Sequence, residues 1–288
     1  MEIFGFDAFS PKEIAAQVGA VGVAKARLPV LAMWMLGMAA GGFVGLGGLY
    51  YALVAADPTL PFAVSRVLGG LAFSLGLILV VVAGAELFTG NNLLVMAWAD
   101  RKITTVELFR NWTIVYLANA FGAVGLAVLV YLSEHGSLNG GAVAITYIKI
   151  AAAKTSLPFS EAFFKGVLCN LLVCLAVWLA LAGRSVTDKI LAIVFPISAF
   201  VAAGFEHSVA NMYFIPLGML LRHDALPADF TDVASLDWAG LAANLIPVTL
   251  GNIVGGSVMV AAVYHLIYNR ALKSNANTGS QQADDWPL

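Results

Sequence analysis

The stretch Gly84-Ala85-Glu86-Leu87-Phe88-Thr89-Gly90-Asn91-Asn92 interrupts a long apolar region. A counterpart, Gly204-Phe205-Glu206-His207-Ser208-Val209-Ala210-Asn211, interrupts another. Both run glycine, glutamate two residues on, a hydroxyl residue, then asparagine. The surrounding regions, 67–98 and 190–221, are about 32 residues each. That is too long for one simple bilayer crossing and too short for two. The simplest reading of each is a single crossing built from a broken helix.

Four further apolar stretches, 28–54, 106–132, 163–182 and 238–267, each meet the length needed to span hydrocarbon. In the first, Gly37, Gly41 and Gly45 are spaced for close helix contact. Composition agrees with six crossings. Sixty per cent of the residues are apolar and 11% are charged, against roughly 25% charged in soluble domains. A soluble chain of this kind would expose large apolar patches. The net charge of −2 argues against a nucleic-acid partner, which calls for a basic excess. The reading is an all-α integral membrane protein with the lipid bilayer as its surroundings.

Segment 1–27 has no apolar core with a small-residue cleavage site, so no cleavable leader is expected. Ser10-Pro11-Lys12-Glu13 combines an N-cap, a first-turn proline and a capping-box glutamate. Ile14, Val18 and Val21 follow on one face, predicting a short amphipathic helix on the membrane surface or against the protein. With six crossings, one set of loops carries Lys12, Lys25, Arg27, Arg101, Lys102, Arg110, Arg184, Lys189, Arg270 and Lys273. The other carries Arg66, Lys149, Lys154, Lys165 and Arg222. Positive loops stay inside, which places both termini in the cytoplasm of a multi-pass inner-membrane protein. The organisation expected is a cytoplasmic N-terminal segment 1–27, a transmembrane domain 28–272, and a disordered cytoplasmic tail 273–288.

The halves of that domain repeat. Asn111, Asn119 and Gly122 match Asn244, Asn252 and Gly255 in spacing, and Val115 and Leu117 match Val248 and Leu250. Repeat one is then 28–133, the linker 134–160 and repeat two 161–272. Three spans per repeat turn the second upside down relative to the first. Transport proteins use this plan, with broken helices meeting near the midplane at a substrate path. An interrupted helix is tolerated only where protein buries it or it lines a wet cavity, and its free N–H ends can hold an anion.

Glu86, Asn92, Glu206 and Asn211 are expected to satisfy loose backbone at the breaks. His207 is different, because Leu87 takes its place in the first half. It can meet a passing anion as a donor and exchange a proton with it, with Thr89 as the hydroxyl across the path. Phe73, Leu77 and Phe200 precede the breaks at helical spacing and read as core on spacing alone. Lys154, in the loop joining the repeats, reads as a solvated surface lysine. Cys169 and Cys174 lie inside an apolar stretch and read as small core residues. No metal site, cofactor or catalysis is expected: there is no His-Glu-x-x-His pair and no Gly-x-Ser-x-Gly turn.

Four stretches carry a resemblance: Gly-Ala-Glu-Leu-Phe-Thr-Gly (84–90), Leu-Val-Cys-Leu-Ala-Val-Trp (172–178), Gly-Phe-Glu-His-Ser-Val-Ala-Asn-Met (204–212) and Ile-Pro-Val-Thr-Leu-Gly-Asn-Ile-Val-Gly-Gly (246–256). Over roughly residues 10 to 272 the chain resembles the formate/nitrite transporter family. The resemblance implies an aquaporin-like six-span fold, a homopentamer, and one pore per protomer passing formate, nitrite or hydrosulfide without ATP. It further implies His207 and Thr89 as the central pair, Phe73, Leu77, Leu87 and Phe200 as constrictions, Asn170 in the fourth span, and Lys154 as a vestibule cation. Runs 182–185 and 246–249 look more like formate channels, while 88–92 and 163–166 look closer to nitrite members. Formate passage is the expectation, with nitrite as the alternative. A neutral-solute channel for water or glycerol is less supported, because paired Asn-Pro-Ala motifs are missing.

Overall fold

Capping residues and prolines decide where the helices begin. Capping boxes form at Ser10 with Glu13, Thr104 with Glu107, and Ser185 with Asp188. Prolines stand at the N-caps of three more helices, Pro29, Pro61 and Pro158, where a missing N–H costs no helical bond. The computed structural model describes residues 8–222 and 233–270. Its helices are α1 (Pro11–Ala26), α2 (Val30–Ala55), α3 (Phe62–Ile78), α4 (Val95–Ala99), α5 (Thr105–Leu132), α6 (Ala142–Thr155), α7 (Phe159–Ala182), α8 (Val186–Ala203), α9 (Ser208–Leu221) and α10 (Trp238–Ile253). Among the described residues, six segments are long and apolar enough to cross a membrane: α2, α3 extended to Gly84, α5, α7, α8, and α10 extended to Tyr268. The protein is a six-span, all-α membrane protein.

Both predicted breaks are present. α3 loosens into a wide π turn at Leu79–Gly84 and stops at Gly84, where φ is +84°. The chain resumes as a 3₁₀ turn, Gly90–Leu94, that runs into α4. α8 stops at Gly204, where φ is +76°, and the chain resumes as α9. Only glycine adopts that backbone without strain.

Crossings approach closely enough to need bare backbone. A Cβ on Gly122 of α5 would lie inside the contact distance of the Met38 carbonyl on α2, and one on Gly41 would do the same to the Asn119 carbonyl. The second half repeats this, with Gly251 of α10 and Gly255 in its π-helical extension against the Phe163 and Val167 carbonyls of α7.

Two sequence expectations change. The segment joining the halves contains α6, so Lys154 sits in the last turn of a helix rather than in a loop. At 14 residues, α6 is too short to span and carries no span signal. Its Val143, Ala144, Tyr147, Ile148 and Ala151 are buried, and it packs on α9. The α1 helix takes the second of its two expected placements, against the protein. Its Ile14 and Val18 join Leu93, Met96, Cys174 and Trp178 in one buried cluster. Val21 is not part of that face and remains 39% exposed, because the buried stripe climbs through Gly22 and Ala26 instead. The tail expected at 273–288 lies outside the described residues.

Candidate functional site

Two asparagines hold the two breaks in the same way. Asn119 of α5 donates from Nδ2 to the Gly37 carbonyl (2.7 Å) and the Glu86 carbonyl (2.8 Å), and its Oδ1 accepts the Phe88 N–H (2.9 Å). Asn252 of α10 donates to the Gly166 carbonyl (2.9 Å) and the Glu206 carbonyl (3.0 Å), and accepts the Ser208 N–H (3.0 Å). The Glu86 N–H reaches the Leu36 carbonyl, and the Glu206 N–H reaches the Lys165 carbonyl. Backbone released by each break is thereby bonded inside protein, as a membrane interior requires.

Each carboxylate has a lysine and an asparagine. Glu86 pairs with Lys25 (2.9 Å) and accepts from Asn91 (2.7 Å), which also donates to Asn111 (2.9 Å). Glu206 pairs with Lys154 (2.8 Å) and accepts from Asn211 (2.7 Å), which also donates to Asn244 (2.6 Å). The residue equivalent to Asn211 is therefore Asn91, not Asn92. The repeated Glu-to-Asn spacing carried that signal; Lys25, Asn111 and Asn244 become visible as partners only in three dimensions. Asn92 instead accepts from Asn170 (2.8 Å) and donates to the Phe88 carbonyl. Lys154 is not a solvated lysine: its side chain is 15% exposed and tied to a buried carboxylate.

His207 and Thr89 meet across the two breaks, with His207 Nε2 2.9 Å from Thr89 Oγ1. His207 Nδ1 accepts the backbone N–H of Ala210 at 3.1 Å. A nitrogen that accepts carries no proton, so the neutral ring holds its hydrogen on Nε2 and donates it to Thr89. The threonine hydroxyl hydrogen is then left to another acceptor. The α9 N-terminus does not offer the bare N–H cluster expected from the sequence. The Ser208 N–H is held by Asn252, and the Ala210 N–H by His207 itself.

Asn170 is fully buried behind this pair. Its Nδ2 donates to the Thr89 carbonyl (3.2 Å), Asn92 Oδ1 (2.8 Å) and the Asn252 carbonyl (2.6 Å). Two of these bonds hold the turn that carries Thr89, and the third ties it to α10.

Two cavities approach the pair. One, about 400 Å³, is lined by Arg66, Phe73, Lys154, Lys165, Phe200, Glu206 and His207 among others. The second, about 460 Å³, is lined by Lys25, Leu77, Glu86, Leu87 and Asn91 among others. Three spans, α2, α3 and α5, separate Lys25 from Lys165, so the cavities open on opposite faces. The four apolar residues divide between them. Phe73 and Phe200 meet edge to face at 5.8 Å, and Phe200 stacks near His207 at 6.0 Å. Leu77, one helical turn beyond Phe73, faces the other cavity with Leu87.

The family model described as formate/nitrite transporter matches residues 12–266. The chain is 40% identical over 274 residues to the formate channel FocA of Escherichia coli (strain K12), covering 92% of this chain and 96% of the relative. It is 39% identical over 276 residues to a probable formate transporter of Methanothermobacter thermautotrophicus, covering 90% and 97%. Among solved structures, one described as a pentameric formate channel with formate bound superposes with a TM-score of 0.75 at 37% identity, covering 83% of this chain and 97% of that one. An ion channel described as of the FNT family superposes with a TM-score of 0.77 at 33% identity, covering 88% and 97%. With its whole six-span body matched in both sequence and fold, this chain belongs to the formate/nitrite transporter family.

Proposed function

We propose that this protein passes formate across the membrane through a pore in each protomer of a homopentamer. The observation that carries the reading is the His207–Thr89 pair, with a cavity from either face leading toward it past apolar side chains. Relatives described as formate channels, one of them pentameric, support the substrate and the assembly. The domain 28–272 is taken as two three-span repeats of opposite orientation, 28–133 and 161–272, joined by 134–160. The matched bonds of Asn119 and Asn252 support that reading. Charge places Lys25, Arg27, Arg101 and Lys102 on the cytoplasmic side with both termini, and Lys154 outside.

A bare carboxylate loses hydration at Phe73 and Phe200, at a cost of several kcal/mol or more. At the centre, the Nε2–H of His207 polarises the Thr89 hydroxyl, which donates to the anion. Proton transfer to formate there would remove most of the desolvation cost and couple flux to pH. Because Ala210 N–H occupies Nδ1 of the resting neutral ring, the transfer balances only if Nδ1 takes a proton from water as Nε2 releases one through the Thr89 hydroxyl, which leaves the ring neutral and formate protonated. Glu86, Asn91, Glu206, Asn211, Asn92 and Asn170 hold the breaks in register around the pair.

The test is flux of labelled formate and nitrite into proteoliposomes, with pH set independently on each side. Fast formate uptake that depends on pH supports the reading. Selective nitrite flux would reassign the substrate and leave the path intact. Water or glycerol passage with no anion flux would overturn it. If His207→Ala left both rate and pH dependence unchanged, the proton step would fall.

A further inference from the structure

The mouth carrying Lys154 presents an electrostatic problem. α8 ends there, inside the molecule, and a helix C-terminus carries roughly half a negative charge on its free carbonyls. A wall of that kind repels an anion. Three cations line the cavity, but two are already neutralised. Lys154 Nζ lies 2.8 Å from Glu206 and Lys165 Nζ lies 2.7 Å from Glu161.

Arg66 of α3 is the third. Its Nε donates to the Ala202 carbonyl and its Nη2 to the Val201 carbonyl, both at 2.9 Å, and its Nη1 donates to the Tyr51 hydroxyl at 3.3 Å. Among the described residues these acceptors are all neutral, and no carboxylate pairs with the guanidinium. The contact is close: a Cβ on Gly204 would come within 2.9 Å of Arg66 Nη2. Arg66 thus covers the carbonyl end of α8 with a full positive charge at a wall of the cavity that contains Phe200 and His207.

We infer that Arg66 is the anion-recruiting residue of this mouth. It converts the carbonyl end of the broken helix from a repelling wall into an attracting one, one turn beyond the Phe200 ring. The second half of the sequence shows why this was not legible as a repeated feature. The position matching Arg66 relative to the break glutamates is Val186, so the device belongs to one mouth only.

The inference rests on the proposed passage of an anion, and the experiment separates the two. Initial uptake of labelled formate, or of nitrite if formate does not pass, is measured against concentration in proteoliposomes at low and high concentrations of an impermeant salt. Wild-type KM should rise with salt, since attraction across a wet vestibule is screened within about 8–10 Å. Arg66→Gln should raise KM at low salt by roughly threefold to tenfold, remove its salt response and leave the maximal rate near wild type. Arg66→Lys should recover part of that KM loss and of the salt response, because it keeps the charge though not the forked contact to the two carbonyls. Three results would overturn the inference: a wild-type KM indifferent to salt, an Arg66→Gln variant with wild-type KM and salt response, or an Arg66→Lys variant as impaired as Arg66→Gln. The first needs no variant to fold. Absence of any anion flux in wild type is a separate outcome, and it sinks the proposed function together with this role.

Discussion

Thr89 and His207 stand on different halves of the chain, yet their side chains meet at 2.9 Å at the point where both broken crossings are interrupted. Each half supplies one partner, and neither break could form the contact alone. Leu87 occupies the position matching His207 in the first half, so the two turns carry different chemistry at matched places.

That contact predicts a hydroxyl requirement at residue 89. Thr89→Ser keeps a donor that can bridge His207 Nε2 and an anion, and should conduct close to wild type. Thr89→Ala removes a hydrogen bond to a charged permeant, worth about 1.5–3 kcal/mol, so formate flux should fall at least tenfold. Radiolabelled uptake at matched protein density checks both. Equal flux in Ser and Ala variants would remove the hydroxyl from the mechanism.

The lysine–glutamate pairs predict an ordered set of stabilities. Breaking a buried pair from one side costs about 3–5 kcal/mol, because a charge is left without its partner. Lys154→Met strands Glu206 and should lower the thermal stability of the detergent-solubilised protein sharply. Lys154→Met combined with Glu206→Gln should recover part of that loss, since Asn211 and Asn244 still meet a neutral amide. Lys25→Met should cost less, because Lys25 is more exposed than Lys154, at 28% against 15%. A double-mutant cycle read by heat-induced loss of the folded peak measures these differences; additive losses would deny the coupling.

Close helix contact predicts that two glycines in the same span behave oppositely. A methyl on Gly122 would overlap the Met38 carbonyl, whereas nothing lies within 4 Å of one on Gly125. Gly122→Ala should abolish recovery of folded protein from membranes. Gly125→Ala should leave yield and flux unchanged, or raise stability slightly by its better helix propensity. Fluorescence-detected size exclusion compares the two directly.

The features legible in the sequence were those written twice or written locally. The two glutamates and the two asparagines of the third and sixth spans, with Gly122 and Gly255 three residues after the second of each pair, repeat in register, and the Ser10–Glu13 box needs only neighbours. What escaped was set by tertiary partners. Lys154 looked solvated because nothing near it in sequence shows that α6 packs it against Glu206. The repeated Glu-to-Asn spacing already matches Asn91 with Asn211, but only the geometry shows that the adjacent Asn92 has Asn170 as its own partner. Arg66 looked like an ordinary loop charge, since its acceptors are backbone carbonyls and carry no side-chain signature. Val21 shows the limit of periodicity: seven residues after Ile14 returns almost to the same face, but the buried stripe had already turned toward Gly22.

The aromatic pair at the Lys154 mouth predicts size selection. Phe200 sits between Phe73, at 5.8 Å, and His207, at 6.0 Å, so an entering anion must displace or pass its ring to reach the centre. Replacing it by alanine opens the space a methyl group needs. Discrimination by one methylene in an apolar site is worth about 1–3 kcal/mol, so the acetate-to-formate flux ratio should rise about tenfold in Phe200→Ala. Phe73→Ala should act in the same direction, since it removes the other face of the same contact. Truncating a buried phenylalanine also costs about 3–5 kcal/mol of stability, so flux must be normalised to folded protein. Leu77→Ala supplies the contrast, because it widens the path from the opposite cavity and leaves the Phe73–Phe200 contact intact. If acetate gains in Leu77→Ala but not in Phe200→Ala, selection belongs to the Lys25 side. If it gains in Phe200→Ala alone, the aromatic pair is the filter, and the leucines set only the barrier to exit.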